Sequence, residues 1–211
     1  MAKLSPMMEQ YFQIKAENED SILFFRVGDF YEMFYDDAKL ASDELDLVLT
    51  GKDCGQEERA PMCGIPYHSC EAYIGRLVAK GHKVAICEQV EDPATAKGIV
   101  RRDIVRIITP GTVIEDNMLE EGLNNYLCAL CRTDSEYGFC FTDASTGECF
   151  VINLALDNVE NRIIEQLNRF KPSELLISDY FIKSHKAVAE FLNTGFEGTV
   201  TVRNDSQISP S

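Results

Sequence analysis

The aromatic run Ile22-Leu23-Phe24-Phe25, closed by Gly28-Asp29, constrains this chain more than any other stretch. Consecutive large apolar residues bounded by a reversal read as a buried strand. Gly28 permits the backbone a reversal needs, and Asp29 is placed to cap a helix by accepting from the free amides of its first turn. That helix is expected to run from Asp29 to about Leu49. Phe30 and Glu32 then stand at its very start, where side chains project from the rim of a domain. A large ring two residues from a carboxylate suits a wedge that unstacks something flat while the carboxylate reads a polar edge beside it. The same residues admit a plainer assignment. Phe30, Phe34, Ala38, Ala41 and Leu45 fall at helical spacing, which makes Phe30 the first residue of a core stripe. Glu32 in a first turn is explained equally by the helix dipole. Both readings stand on pattern alone.

The 211 residues allow one large domain or two modest ones. No apolar run approaches the roughly 20 residues a membrane helix requires, and no charged-then-apolar leader opens the chain. A soluble, cytoplasmic protein without a membrane partner is expected. The eight Cys are then reduced thiols. Cys128 and Cys131 lie three apart on an apparent strand and face opposite sides, so they cannot share a metal; Cys63, His68 and Cys70 lack further paired ligands. No metal site is expected. Net charge is −15, with neither half of the chain basic. Nucleic-acid affinity comes largely from phosphate neutralisation, so a free-standing DNA binder is disfavoured unless other parts of a larger protein supply the cations.

Ser5-Pro6 reads as a helix N-cap with Pro at the first helical position, opening a helix through Ala16. Thr50 to Ala60 is a polar reversal. Ala60 to Tyr67, interrupted by two prolines, is expected as an edge strand or shaped loop. Ser69 can cap a helix from Cys70 to Lys80, closed by Gly81. Strands follow at Lys83–Val90 and Ile99–Thr109, giving a compact α/β unit over residues 1–112. Residues 113–123 are acidic and aperiodic and read as an interdomain link. Beyond them, strands at 125–132, 137–143 and 148–154 precede a helix at 158–170. A strand at 174–178, a helix at 181–192 and a strand at 199–202 complete the order βββαβαβ, that of a ribonuclease-H-like sheet. The Ser-Gln-Ile-Ser-Pro-Ser ending reads as structureless, and this second domain, 124–211, as incomplete.

Two catalytic classes find little support. The chain has no Gly-x-x-x-x-Gly-Lys-Ser/Thr phosphate loop and no Gly-x-Ser-x-Gly elbow. One enzymatic alternative remains: Asp143, with Glu148, Glu174 and Asp179, imitates the carboxylates that hold two Mg²⁺ for phosphodiester hydrolysis on such a fold. Their turn and strand-end positions are also explained without chemistry.

The stretch Gly28-Asp-Phe-Tyr-Glu-Met-Phe-Tyr-Asp-Asp-Ala-Lys closely resembles the N-terminus of the MutS family of DNA mismatch-recognition ATPases. The likeness continues through Pro61-Met-Cys-Gly-Ile-Pro-Tyr-His, Val84-Ala-Ile-Cys-Glu-Gln-Val-Glu-Asp-Pro-Ala-Thr-Ala-Lys-Gly and Val105-Arg-Ile-Ile-Thr-Pro-Gly-Thr. The resemblance implies a mixed-sheet α/β mismatch-recognition domain followed by a ribonuclease-H-like connector domain without nuclease activity. It implies that Phe30 enters the minor groove and stacks on a mispaired base, that Glu32 hydrogen-bonds that base, and that Tyr31 packs behind. Val27, Asp29, Lys52 and Met62 become neighbours on the groove or backbone. The implied partners are mismatched double-stranded DNA, a second copy of the protein held through segments absent here, and a MutL-like repair protein at the connector. ATP and Mg²⁺ belong to the full-length family protein, so this fragment is expected to carry no cofactor, to bind DNA weakly alone and to hydrolyse no ATP.

Overall fold

The computed structural model describes residues 4–92, 94–133 and 135–204. The Ser-Gln-Ile-Ser-Pro-Ser ending lies outside the described residues. Two compact units divide the chain, Met1–Ile108 and Thr109–Ser211.

The first unit contains α1 (Pro6–Ala16), β1 (Ile22–Val27), β2 (Phe30–Phe34), α2 (Tyr35–Leu45), β3 (Thr50–Lys52), β4 (Ala60–Pro66), α3 (Cys70–Ala79), β5 (Val84–Gln89) and β6 (Arg102–Ile108). Ser5 caps α1 as expected, its side chain accepting from the Met8 amide at 3.4 Å. The sheet runs β3-β4-β2-β1-β5-β6, with β1 parallel to β5 and antiparallel to β2. Helix α1 covers one face, where Met8 and Tyr11 pack with Leu23, Phe25, Phe34, Ala85 and Cys87. The alternate residues Phe24, Met33 and Ile65 are buried on the other face, the side of α2 and α3. A strand covered on both faces reads as a continuous apolar run, which is what Ile22 to Phe25 is.

The helix expected from Asp29 is instead a strand. Gly28 and Asp29 form a two-residue hairpin turn, with Val27 opposite Phe30, Arg26 opposite Tyr31 and Phe25 opposite Glu32. Gly28 takes φ +57°, and Asp29 is not in the left-handed region, the pattern of a turn with glycine at its first central position. Asp29 caps nothing; its carbonyl accepts from the Tyr67 amide at 3.0 Å. Phe-Tyr-Glu-Met-Phe is rich in aromatics that suit a pleated surface, and two flanking strands complete its hydrogen bonding. The helical period is real but begins at Phe34; Tyr35, at φ +52°, turns the chain from strand to helix.

Smaller departures have similar causes. β4 is not an edge, because the three-residue β3 pairs with its first half; Pro61 and Pro66 lie near its two ends, where a missing amide costs least. The Ser69 hydroxyl donates to the Pro66 carbonyl instead of capping α3, and a 3₁₀ turn at Tyr67–Ser69 leads into that helix. The acidic stretch after residue 112 opens on Val113, which is buried, and holds a 3₁₀ turn at Asp116–Met118.

The second unit contains β7 (Tyr126–Arg132), β8 (Glu136–Asp143), β9 (Glu148–Ala155), α4 (Val159–Phe170), β10 (Glu174–Ser178), α5 (Asp179–Ser184), α6 (Lys186–Thr194) and β11 (Thr199–Arg203). The sheet order is β11-β10-β7-β8-β9, with an antiparallel β7-β8-β9 meander and β10 and β11 parallel to β7. That is the arrangement expected of a ribonuclease-H-like sheet. The single helix expected at 181–192 is two, broken at His185, whose ring stacks on Phe181 at 4.1 Å and meets the Tyr137 hydroxyl at 3.1 Å.

Of the four carboxylates that imitate a two-metal site, only Asp143 and Glu148 come together, as cross-strand partners on one face, and Glu148 accepts from the Tyr126 hydroxyl and the Asn124 side-chain amide. Asp143 lies opposite Tyr126 and Glu174 opposite Leu127, so the two side chains leave opposite faces of the sheet. Asp143 accepts from the amides of Asn125, Ser145 and Thr146 and the Ser145 hydroxyl. Glu174 accepts from the Gly111 amide at 3.2 Å and the Thr201 hydroxyl at 2.6 Å. Asp179 pairs with Lys183 on the surface. Each carboxylate holds local structure.

Two outcomes follow for stability. Gly28→Ala gains a Cβ that meets no atom within 4 Å, so its cost is conformational. Thermal melting should register a loss of about 1 kcal/mol, the usual penalty for an L side chain in the left-handed region. Burial raises the Asp143 pKa, but the hydrogen bonds outweigh it and hold the carboxyl below its ordinary value. A folded-state pKa below the unfolded one adds stability that is present above about pH 4 and lost as pH falls through the folded value. Asp143→Asn should therefore destabilise the chain at neutral pH by about 1–2 kcal/mol and flatten the acid limb of a plot of melting temperature against pH.

Candidate nucleic-acid interface

The strand period places the residues of the β1–β2 hairpin on two faces. Phe30, Glu32 and Phe34 leave the face that carries α1, and Tyr31 and Met33 leave the opposite one. Phe34, Met33 and Tyr31 are buried, whereas Phe30 is 48% exposed. Of the apolar set that suggested a core stripe, Phe34, Ala38, Ala41 and Leu45 enter the core and Phe30 does not. The ring stands at the turn end of the hairpin, opposite Pro66 of β4 and directly after the turn.

Glu32 sits two residues inward on the same face. Its carboxylate is paired with the Lys52 ammonium, and Lys52 also lies 5.8 Å from the Phe34 ring centroid. Gly64 is its cross-strand partner, and a Cβ there would come within 3.6 Å of the Glu32 Cγ and 3.3 Å of the Tyr31 carbonyl oxygen. The missing side chain leaves room for Glu32 to lie along the sheet. Burial lowers the Arg102 pKa, and Glu32 is among the nearby negative groups that act against it. Arg102 is 8% exposed, donates to the Arg26 carbonyl and to Gln10, and covers the Phe25 ring at 4.8 Å.

The remaining sequence candidates separate by position. Asp29 is exposed in the turn. Val27 and Met62 are partly buried against the α1-side core, with Met62 opposite Phe34 and Thr50. Lys52 and Glu32 come together, whereas Val27 lies opposite Phe30 and Met62 opposite Phe34, at the two ends of β2.

Sequence reasoning missed a second group on the far face. Arg26 donates from Nε to the Gly28 carbonyl and from Nη1 to Glu88 at 3.3 Å, and its guanidinium lies 3.5 Å from the Tyr67 ring centroid. The Tyr31 hydroxyl donates to the same Glu88 oxygen. Burial, then that hydrogen bond, raises the Tyr31 pKa. The one available signal was Arg26 itself, a charge inside an otherwise apolar strand run.

Among the described residues no helix is long and apolar enough to cross a membrane. The sequence profile of MutS domain I matches residues 5–117, and that of MutS domain II matches residues 125–209. Similar curated proteins include "DNA mismatch repair protein MutS" of Acetivibrio thermocellus, 53% identical over 181 residues, 86% of this chain and 21% of that protein. The protein of the same name from Clostridium tetani is 57% identical over 176 residues, 83% of this chain and 20% of that protein. The chain thus spans about a fifth of the length of the curated relatives it matches. On the two domain matches and these identities, the chain belongs to the MutS family.

Proposed function

We propose that this chain recognises mispaired duplex DNA through Phe30 and Glu32 as part of mismatch repair. Residues 1–112 form the mismatch-recognition domain, 113–123 the link, and 124–211 the connector. The observation that carries the reading is the exposed Phe30 ring at the end of a hairpin whose neighbouring apolar residues are buried, with Glu32 on the same face.

Magnitudes explain how such a tip discriminates. Covering a Phe side chain contributes about 1.5–3 kcal/mol. Unstacking a base step costs about a few kcal/mol, least where pairing is already poor. The two nearly cancel on matched DNA, so insertion proceeds where a mismatch has lowered the cost. Deformability is then read in place of a base code. Glu32 sharpens the contrast, because a carboxylate brought to a duplex is penalised wherever no base edge donates to it.

The same reading extends the family's partners to this chain. A second copy is engaged through segments beyond these residues, a MutL-like protein meets the connector, and ATP turnover resides in other parts of the longer proteins. Within residues 4–204 the role is binding.

Both substitutions below are made in the longer parent protein that contains these residues, at one fixed salt concentration. Phe30→Ala should abolish the preference for a duplex with one G·T mispair over the matched duplex and leave matched binding nearly unchanged. A surviving preference would overturn the assignment. Glu32→Gln should raise matched-duplex affinity and narrow the preference, because it removes a repulsive carboxylate and releases Lys52 toward phosphate. Its effect on melting should stay below about 1 kcal/mol, as for a partly exposed ion pair. Unchanged matched-duplex binding would argue against the discriminating role.

A further inference from the structure

The hairpin tip has two working faces, and the second has no assigned role. We infer that Arg26, Tyr67 and Glu88 form a clamp that holds the hairpin tip rigid, so that Phe30 is presented as a fixed wedge; this rests on the mismatch-reading role proposed for Phe30.

The geometry is specific. Arg26 is the last residue of β1 to face the α2/α3 side, and it lies opposite Tyr31. Its Nε–H donates to the Gly28 carbonyl, so the guanidinium closes over the turn two residues ahead of its own Cα. The plane of that guanidinium rests on Tyr67 at 3.5 Å and lies 5.7 Å from the Tyr31 ring centroid. Glu88, from β5, accepts from both Arg26 and the Tyr31 hydroxyl. The Tyr67 amide donates to the Asp29 carbonyl, the other residue of the turn. Both turn carbonyls are therefore held, Gly28 by the Arg26 side chain and Asp29 by the Tyr67 backbone. Three separate segments, β1, the 3₁₀ turn after β4, and β5, converge on the underside of a two-residue loop.

A two-residue turn with an exposed ring beside it would otherwise fray, since few buried apolar contacts hold it. A ring that swings when pressed against stacked bases transmits little bending force. Preorganisation removes that ordering cost from the binding step. The choice of side chains fits the task. Arginine supplies a planar face for stacking and a fork for two acceptors, which lysine cannot do together. Tyr67, itself 40% exposed, buttresses from outside and contributes little to the core.

The test uses the longer parent protein, measuring the ratio of mismatched to matched duplex affinity at fixed salt, together with melting temperature. Tyr67→Leu removes the stacking face, and Arg26→Lys keeps the charge while losing the plane. Each should lower the ratio by about three- to tenfold, while Tyr67→Phe, which keeps the ring, should retain it. In a Phe30→Ala background the same two substitutions should change the ratio no further, because they act through Phe30. A merely structural role predicts the opposite: lower melting temperature, equal losses on both duplexes, and the same effect with or without Phe30. If Tyr67→Leu fails to fold, Arg26→Lys decides the matter. If Phe30→Ala removes the preference and neither clamp substitution moves it, the clamp is refuted and the wedge stands. If Phe30→Ala itself leaves the preference intact, the wedge reading fails, and the clamp fails with it.

Discussion

The first unit depends on one constraint: β1 is buried on both faces and paired on both edges. Its parallel partner β5 and antiparallel partner β2 satisfy its backbone, and its side chains alternate between α1 and the α2/α3 layer. A strand held this fully cannot bend or slip without moving apolar residues to the wrong face. Its far end therefore leaves the core from a fixed point. The Gly28-Asp29 turn is that far end. Phe30 owes its exposure to being the first residue past the turn, where the sheet continues but the covering helix does not.

Strand periodicity then does what a helix could not. At the start of a helix, Phe30 and Glu32 would point about 200° apart around the axis, by the helical repeat. On a strand they point the same way, two residues apart along one face. A ring and a carboxylate can therefore address the same object, while Tyr31, between them, anchors the hairpin from behind through Glu88. A ring and a carboxylate that are to act side by side are therefore better served by a strand than by the helix the spacing led one to expect.

That expectation has a physical origin. Phe34, Ala38, Ala41 and Leu45 are a true helical stripe, and Phe30 lies one turn upstream of it by coincidence of spacing. Gly-Asp suits a helix cap and a two-residue hairpin equally, and the choice between them is made by β4, whose pairing with β2 is non-local. The second unit was easier to read, because Glu136 to Asp143 alternates between buried and half-buried positions and the turns around it are marked by polar and glycine residues; its strand order follows from the succession of elements. The break at His185 was hidden because it is made by a stack on Phe181 and a bond to Tyr137, 48 residues away. Partners distant in sequence, such as Arg26 with Tyr67 or Glu32 with Lys52, were invisible for the same reason. Register, which no local pattern encodes, brings them together.

The electrostatics of the tip bear on the net charge of −15. The cations nearest the hairpin are already committed within the fold. Arg26 serves Glu88 and the turn, Lys52 serves Glu32, and Arg102 is buried on backbone and glutamine acceptors. Redirecting any of them to phosphate would forfeit an internal partner. The hairpin is therefore built for shape: it offers an apolar ring on a stiff support and surrounds it with charges that cancel. Discrimination and affinity are separable in such a design. A basic surface at the tip would bind all duplexes alike, because phosphate contacts carry no sequence or mismatch information. On the role proposed above, a near-neutral tip leaves the difference in deformation cost exposed, and the general hold on DNA falls to other parts of the longer proteins to which this chain is related.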